Sequence, residues 1–224
     1  MILAAGRGER MRPLTDHTPK PLLTAGGKPL IAWHIEKLAR AGFHQLVINH
    51  AYLGSQIEAT LGDGSQYGVQ IQYSPEAEAL ETAGGIAHAL HLLGSEPFLV
   101  INGDIFCDFD YGRLQSGLSS DLLAWLVLVD NPQHNAQGDF ALHMDRVESS
   151  GGDMLTFSGI GVYHPRLFIG IANGSKAKLG PLLRAAMATK QVGGEHFSGR
   201  WMDIGTPQRL HELDRMLSSE SHGE

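Results

Sequence analysis

Apolar positions along this 224-residue chain follow two alternating rhythms. Short apolar runs are separated by longer stretches in which apolar residues recur every three or four positions. The chain opens on Met1-Ile2-Leu3-Ala4, a run entered as if in mid-strand. Residues 45–49 read as a strand, and residues 69–73 alternate as a half-buried strand does. Residues 98–101 are wholly apolar, and 122–129 are longer and equally so. Between these runs, residues 29–40 place Ile31, Ile35 and Leu38 on one helical face, with Gly42 as the stop. Residues 53–61 predict a second helix, and residues 81–93, opened by glycines and rich in Ala, Leu and His, a third. Alternation of this kind predicts an α/β fold: a mixed, mostly parallel sheet flanked by helices.

The texture changes at Asp130. A polar loop, Asp130-Asn131-Pro132-Gln133-His134-Asn135, leads to strand patterns at 138–142 and 155–163 with no long helix between them. Antiparallel members are therefore expected in the sheet. Helices are predicted at 178–189 and 207–217, and residues 218–224 read as a frayed polar tail. No repeat or linker divides residues 1–217, which read as one domain.

Composition narrows the partners. The net charge is −7 with no basic arm, which argues against nucleic acid. No signal peptide or membrane-length apolar run is visible, so no membrane partner is expected. Cys107 is the only cysteine and has no internal partner, which fits a reducing cytoplasm. The chain is expected to act as a monomer.

Chemistry is concentrated near the start. The first apolar run passes into Ala5-Gly6-Arg7-Gly8-Glu9-Arg10-Met11-Arg12-Pro13-Leu14-Thr15, followed by Thr18-Pro19-Lys20-Pro21-Leu22-Leu23. Glycines let backbone N–H groups approach phosphate oxygens. Arg10 offers a planar fork and Lys20 a compact charge, stiffened between two prolines. A dinucleotide fingerprint needs a glycine where Met11 stands, and no Gly-Lys-Ser/Thr follows, so neither a Rossmann dinucleotide site nor a Walker loop is present.

Two carboxylates sit where a metal-bound triphosphate would need them. Asp104 ends Ile101-Asn102-Gly103-Asp104, at the carboxyl end of an apolar strand. Asp203 lies in Gly199-Arg200-Trp201-Met202-Asp203-Ile204-Gly205-Thr206-Pro207, where Thr206 is the better helix N-cap and Pro207 the first helical residue. Alone, Asp104 also reads as a turn residue and Asp203 as the polar entry to the last helix. Asp108-Phe109-Asp110 has the form of a glycosyltransferase metal motif, and equally that of a helix start. His88 and His91 share a helix face but lack further zinc ligands.

The long string Gly-x-Gly-x-Arg-Met-x-Pro-Leu-Thr with Pro-Lys-Pro-Leu-Leu behind it resembles the signature of the sugar-1-phosphate nucleotidylyltransferases. The resemblance extends over essentially the whole chain, without the hexapeptide repeats of the C-terminal β-helix that many relatives carry. It implies a Rossmann-like catalytic domain that joins UTP to a sugar 1-phosphate with Mg²⁺. Carried over residue by residue, Arg10, Lys20 and Asp104 would be catalytic, and Asp104 and Asp203 would hold the metal. Ala5, Gly6, Gly8, Arg10, Lys20, Ser74, Glu76, Glu81, Thr82 and Gly85 would bind the nucleotide. Many relatives have glycine where Glu81 stands; Glu81 either accepts from the base or serves as a helix N-terminal charge.

Asn102, Gly103, Gly138, Ser158, Gly159 and Lys178 (or Lys176) would bind the sugar phosphate. Leu80-Glu81-Thr82-Ala83-Gly84-Gly85 and the 130–140 segment resemble the subgroup acting on N-acetylmuramic acid 1-phosphate in peptidoglycan recycling. Mannose 1-phosphate with GTP and glucose 1-phosphate with TTP are alternatives sharing the same catalytic groups. A non-catalytic nucleotide-sugar sensor is the alternative from another class.

Overall fold

A computed structural model describes residues 1–220. Along the chain it places β1 (Ile2–Leu3), β2 (Thr24–Ala25), β3 (Lys28–Pro29), α1 (Leu30–Arg40), β4 (Gln45–His50), α2 (Gly54–Leu61), β5 (Gln70–Pro75), α3 (Glu81–Leu93) and β6 (Phe98–Asn102). Then follow β7 (Ile105–Cys107), β8 (Ala124–Val129), β9 (Phe140–His143), β10 (Arg146–Glu148), β11 (Met154–Tyr163), α4 (Leu179–Ala188), β12 (Val192–Phe197), β13 (Trp201–Asp203) and α5 (Pro207–Glu220). Nine strands form one sheet in the order β5-β4-β1-β6-β11-β8-β12-β10-β9. β7 and β13 form a separate two-stranded ribbon.

The sheet is mixed, as the hydrophobic pattern predicts. The four strands β5, β4, β1 and β6 run parallel, as do β8 and β12. The remaining neighbours along the order, β6–β11, β11–β8, β12–β10 and β10–β9, are antiparallel. Parallel pairing thus accounts for half of the neighbours, fewer than the first half of the chain suggests. The period-two rule explains the sequence of the central strands, because both of their faces are covered. On β4, Leu46 and Ile48 join one apolar cluster and Val47 the other; on β6, Leu99 and Ile101 oppose Val100. α1 and α2 close the first face with Ile31, Ile35, Leu38, Ile57 and Leu61. α3 and α4 close the second with Ala83, Ile86, Ala89, Leu183 and Met187. A third cluster, including Met11, Leu30, Phe106, Ile204 and Leu213, fastens α5 under the N-terminal loop.

Neither β10 nor β12 has an apolar run that announces it, and β7, though apolar, is only three residues long. β12 reads Val-Gly-Gly-Glu-His-Phe because its glycines lie against large neighbours. A Cβ on Gly193 would stand 2.6 Å from the Trp125 ring, and one on Gly194 would stand 2.6 Å from the Leu126 carbonyl oxygen. Close backbone approach, not side-chain burial, selects these residues. At the other end, α5 continues to Glu220, beyond the expected helix end at 217, so residues 218–220 are helical and not a tail. Residues 221–224 of the expected polar tail lie outside the described residues. Among the described residues no helix is long and apolar enough to cross a membrane.

His34 on α1 ties the first helix to the ribbon. Its Nε2–H donates to the Ile105 carbonyl at 2.8 Å, which leaves Nδ1 to accept from the Tyr111 hydroxyl at 3.1 Å. Burial lowers its pKa to about 4. The unfolded chain therefore takes up a proton below its ordinary value near 6.5 that the folded chain refuses. Stability from this group is full above pH 6.5 and is lost as the pH falls toward 4, by on the order of 3 kcal/mol. Urea unfolding of the native chain and of His34→Phe across pH 4–8 measures it. The native chain should show the steeper acid loss; parallel profiles would remove His34 as the cause.

Candidate active site

The parallel strands β1, β4, β5 and β6 deliver their carboxyl ends to one edge of the sheet, where open α/β sheets expose loops to ligands. Beyond β1 the chain enters the glycine loop. Gly8 adopts φ +70°, and its carbonyl accepts from the Met11 N–H and the Thr15 hydroxyl, each at 2.9 Å. A side chain there would be strained and would also meet Thr15 and Lys20, at 3.1 and 3.2 Å. Lys20 is only 7% exposed. Its ammonium donates to Asp104 Oδ2 at 2.7 Å, while the Asp104 side chain stays 41% open. The loop thus brings a desolvated cation against a carboxylate that still faces solvent.

Behind the loop lies a buried hydrogen-bond brace. Asn49, at the end of β4, accepts from the Ala4 N–H through Oδ1 at 3.0 Å and donates through Nδ2 to Glu76 Oε1 at 2.6 Å. Glu76 Oε2 accepts from the Leu80 N–H at 2.9 Å. One carboxylate therefore joins the ends of β4 and β5 to the start of α3. Gly85 packs directly on it: a Cβ there would lie 2.7 Å from Glu76 Oε1. Glu76, Gly85 and the fully buried Ser74, all expected to touch the nucleotide, stand behind the wall and line neither of the two cavities described below. Glu76 holds the wall, with Gly85 packed on it. Asn49 does line the cavity, and sequence reading passed over it as an ordinary strand residue.

Two cavities open at this edge. The first, about 470 Å³, is lined by Ala5, Gly6, Gly8, Arg10, Lys20, Glu81, Thr82, Asn102, Gly103 and Asp104, all anticipated, together with Asn49, Pro21 and Gly205. Glu81 opens α3 at φ +63°, a left-handed conformation that favours glycine and accounts for glycine as the familiar residue there. The second cavity, about 390 Å³, is lined by Arg10, Asn102, Asp104, Ser158 and Asp203, with His134, Asn135, Thr156, Phe157 and Trp201. Arg10, Asn102 and Asp104 are common to both.

The ribbon sets the two aspartates side by side. Asp203 pairs with Ile105 across β7–β13, and the Ile204 N–H donates to the Asp104 carbonyl at 2.8 Å. Thr206 caps α5, as its sequence suggests: its hydroxyl accepts from the Arg209 N–H at 3.4 Å. Arg209, which sequence reading missed, turns back so that Nη1 lies 3.1 Å from Asp203 Oδ2 and 3.0 Å from His134 Nδ1. His134 Nε2 is 3.2 Å from the same carboxylate oxygen. Arg10 and Arg209 each bring a guanidinium nitrogen to 2.9 Å from where a Gly205 Cβ would be. A side chain at Gly205 would crowd both guanidinium groups and also Asp203 Oδ1, at 2.8 Å.

Four expected sugar-side residues are placed elsewhere, Gly103 among them, which lines only the first cavity. Gly138 (φ +66°) lies outside the second cavity, where a Cβ would meet Asn131 Oδ1 at 2.9 Å. Gly159 lies under Asn102, 2.7 Å from its Nδ2 by the same measure, within a bulge of β11. That bulge is pinned by Ser158, whose hydroxyl donates to the Val127 carbonyl at 2.6 Å, and by the Trp201 indole N–H on the Ser158 carbonyl at 2.8 Å. Lys178 is exposed just before α4 and lines neither cavity, while Lys176 pairs with Glu78 at 2.7 Å. Asp108 pairs with Arg200 at 2.6 Å and Asp110 caps the turn after it, so the Asp-x-Asp motif is spent on local structure. His88 bonds Asn173 and His91 bonds the His88 carbonyl.

Among the described residues no group of three or more His, Cys, Asp or Glu stands ready to cage a metal. Asp104 and Asp203 each commit Oδ2 to a cation, and among the described residues Oδ1 of each has no hydrogen-bond or ion-pair partner. Two such carboxylates fit Mg²⁺, which binds through one or two carboxylates and completes its shell with water and phosphate oxygens.

Residues 1–138 match the family model for nucleotidyl transferase. The chain belongs to the nucleotidyl transferase family. It is 58% identical, over 98% of both chains, to an N-acetylmuramate alpha-1-phosphate uridylyltransferase of Neisseria meningitidis serogroup B. It is 27% identical to a mannose-1-phosphate guanylyltransferase of Mycobacterium tuberculosis, spanning 93% of this chain and 61% of that one. A solved structure from Bacillus anthracis, of a protein proposed to be a glucose-1-phosphate thymidylyltransferase, superposes with TM-score 0.85 at 20% identity. It covers 97% of this nucleotidyl transferase and 94% of its own chain, a likeness of fold.

The brace is open to test. Asn49→Ala leaves the Ala4 N–H without an acceptor and the buried Glu76 carboxylate short of a donor. The variant should lose about 2–3 kcal/mol in urea unfolding. A loss below ~0.5 kcal/mol, the range of an ordinary surface change, would show that the brace holds nothing.

Proposed function

We propose that this nucleotidyl transferase moves UMP from UTP to N-acetylmuramic acid α-1-phosphate, giving UDP-N-acetylmuramic acid and pyrophosphate, a reaction of peptidoglycan recycling in the cytoplasm. End-to-end identity of 58% with a relative named for that reaction carries the substrate reading. Two cavities that meet at Arg10, Asn102 and Asp104 support the chemistry, because a donor and an acceptor need adjoining seats.

UTP occupies the first cavity, with its phosphates over the Gly6–Gly8 loop and its base toward Glu81 and Thr82. The sugar phosphate occupies the second. An oxygen of the acceptor phosphate attacks the α-phosphorus in line, and the bond from that phosphorus to the bridging oxygen of pyrophosphate breaks. The attacking group is already an anion, so no protein base is needed. Catalysis is positioning plus charge neutralisation. Arg10 meets the leaving phosphates, with its fork matched to two oxygens. Lys20 supplies a fixed charge at the α-phosphate; being desolvated, it loses little orientation when ligand arrives. Asp104 and Asp203 are the residues that would hold Mg²⁺. When bound, the metal neutralises phosphate charge.

Pyrophosphate release with Mg²⁺ should be measured for the four nucleoside triphosphates against N-acetylmuramic acid, N-acetylglucosamine, glucose and mannose 1-phosphates. UTP with the muramic acid phosphate should give the highest kcat/KM. Preference for another pair, such as GTP with mannose 1-phosphate, overturns the substrate assignment and keeps the chemistry. Silence from folded protein across the panel favours a nucleotide-sugar sensor. Arg10→Ala and Asp104→Asn should each lower kcat by on the order of 10²-fold with folding intact. Near-normal turnover would take that residue out of the mechanism.

A further inference from the structure

One wall of the second cavity carries a run of side-chain hydrogen bonds whose direction is determined atom by atom. The Met154 carbonyl only accepts, so the Asn131 group 2.8 Å from it is the amide nitrogen. Asn131 Oδ1 then accepts from the Thr156 hydroxyl, also at 2.8 Å. The Asp139 carboxylate accepts from the Phe157 N–H at 2.9 Å and from Asn135 Nδ2 at 3.1 Å. Thr156, having given its proton to Asn131, accepts the other Asn135 N–H at 3.1 Å. Both amide protons of Asn135 are therefore used inside the protein. Turning the amide over would set its oxygen against the Asp139 carboxylate, so its orientation does not invert.

What remains is Asn135 Oδ1. Asn135 lines the second cavity, and among the described residues this oxygen has neither a hydrogen-bond partner nor a place among the buried unpaired atoms. It is a neutral acceptor, fixed in direction and not buried, on a residue that lines the cavity. Its neighbours on the same wall are already committed: Ser158 donates to Val127 and accepts from the Ile160 N–H, and Trp201 donates to Ser158. The nearby carboxylates, Asp104 and Asp203, each hold a cation through Oδ2, and the Oδ1 atoms they keep are anionic oxygens suited to a metal rather than neutral acceptors.

Building on the reading that this cavity seats an N-acetylated sugar 1-phosphate, we propose that Asn135 Oδ1 accepts the N–H of the sugar's 2-acetamido group. A secondary amide N–H can only donate, and closing it into a cleft without an acceptor is costly. An acceptor that has no proton to offer and is locked by two neighbours is its complement. Gly138 belongs to the same device. At φ +66° and with Asn131 Oδ1 2.9 Å from where its Cβ would be, it gives the network room.

The test pairs the protein with the substrate. With UTP as donor, kcat/KM is measured for N-acetylmuramic acid 1-phosphate and for its 2-O-acetyl counterpart, in which an ester oxygen replaces the N–H. The native enzyme should prefer the amide by about 10-fold or more. Asn135→Ala should bring the two within about threefold, mainly by lowering kcat/KM for the amide. A merely structural role would lower both substrates together and leave their ratio unchanged. A preference that survives in Asn135→Ala assigns the contact elsewhere and overturns the proposal. Equal turnover of amide and ester by the native enzyme overturns it without recourse to any variant. Turnover of neither, with a hexose 1-phosphate used instead, marks failure of the substrate reading and removes the acetamide with it.

Discussion

Glu76 is the constraint on which the edge of the sheet depends. A carboxylate this buried is tolerated only if its oxygens are satisfied, and Asn49 and the Leu80 amide satisfy them. In doing so they lock the turn after β5 to the end of β4 and, through Asn49 Oδ1, to the Ala4 amide where the glycine loop begins. The loop meets solvent at Gly6, where a Cβ would have nothing within 4 Å. A flexible surface feature is thus moored at its root by polar contacts within an otherwise apolar sandwich.

The Lys20–Asp104 contact builds on that frame. Proline on either side of the lysine and Gly8 against its Cβ leave the ammonium few alternatives to its position. An ion pair with one member desolvated and the other open is poor as a stability device, since taking charge out of water offsets much of the attraction. It is useful as a fixed charge beside an accessible oxygen ligand, which is what a phosphate site asks for. Asp203 is likewise held by a cation, Arg209, but there the two side chains are equally half-buried. Both carboxylates are thus oriented by cations while each keeps a second oxygen uncommitted.

Much of this was legible in the chain. Pro-Lys-Pro marked Lys20, the end of an apolar strand marked Asp104, and a Thr-Pro helix start set Asp203 apart from a capping role. Glu76 was misread because an acidic residue just past a strand looks the same whether it faces a ligand or an asparagine. Burial distinguishes the two, and burial depends on Asn49, distant in sequence. Gly138 and Gly159 lie in the expected neighbourhood, where they clear space for Asn131 and Asn102 and line neither of the two cavities. Arg209 carries no local signal, since an arginine in the first turn of a helix is ordinary until the helix is docked. β12 was invisible because its residues were selected for thinness, which no hydrophobic period records.

The β7–β13 ribbon has an evolutionary reading. Asp203 lies on β13 and Asp104 directly precedes β7, strands paired residue for residue, Trp201 with Cys107, Met202 with Phe106 and Asp203 with Ile105. Everything between those strands, including the acceptor wall from Asn131 to Ser158, enters and leaves through that clasp, yet it also supplies β8 to β12 and is bonded to β6 through β11. Changes confined to its turns, such as the one from Asn131 to Asp139, leave both the clasp and the sheet in place, whereas exchange of the whole segment would break the β6–β11 ladder. Such a clasp lets the acceptor turns drift toward new sugars while the phosphate chemistry stays in register.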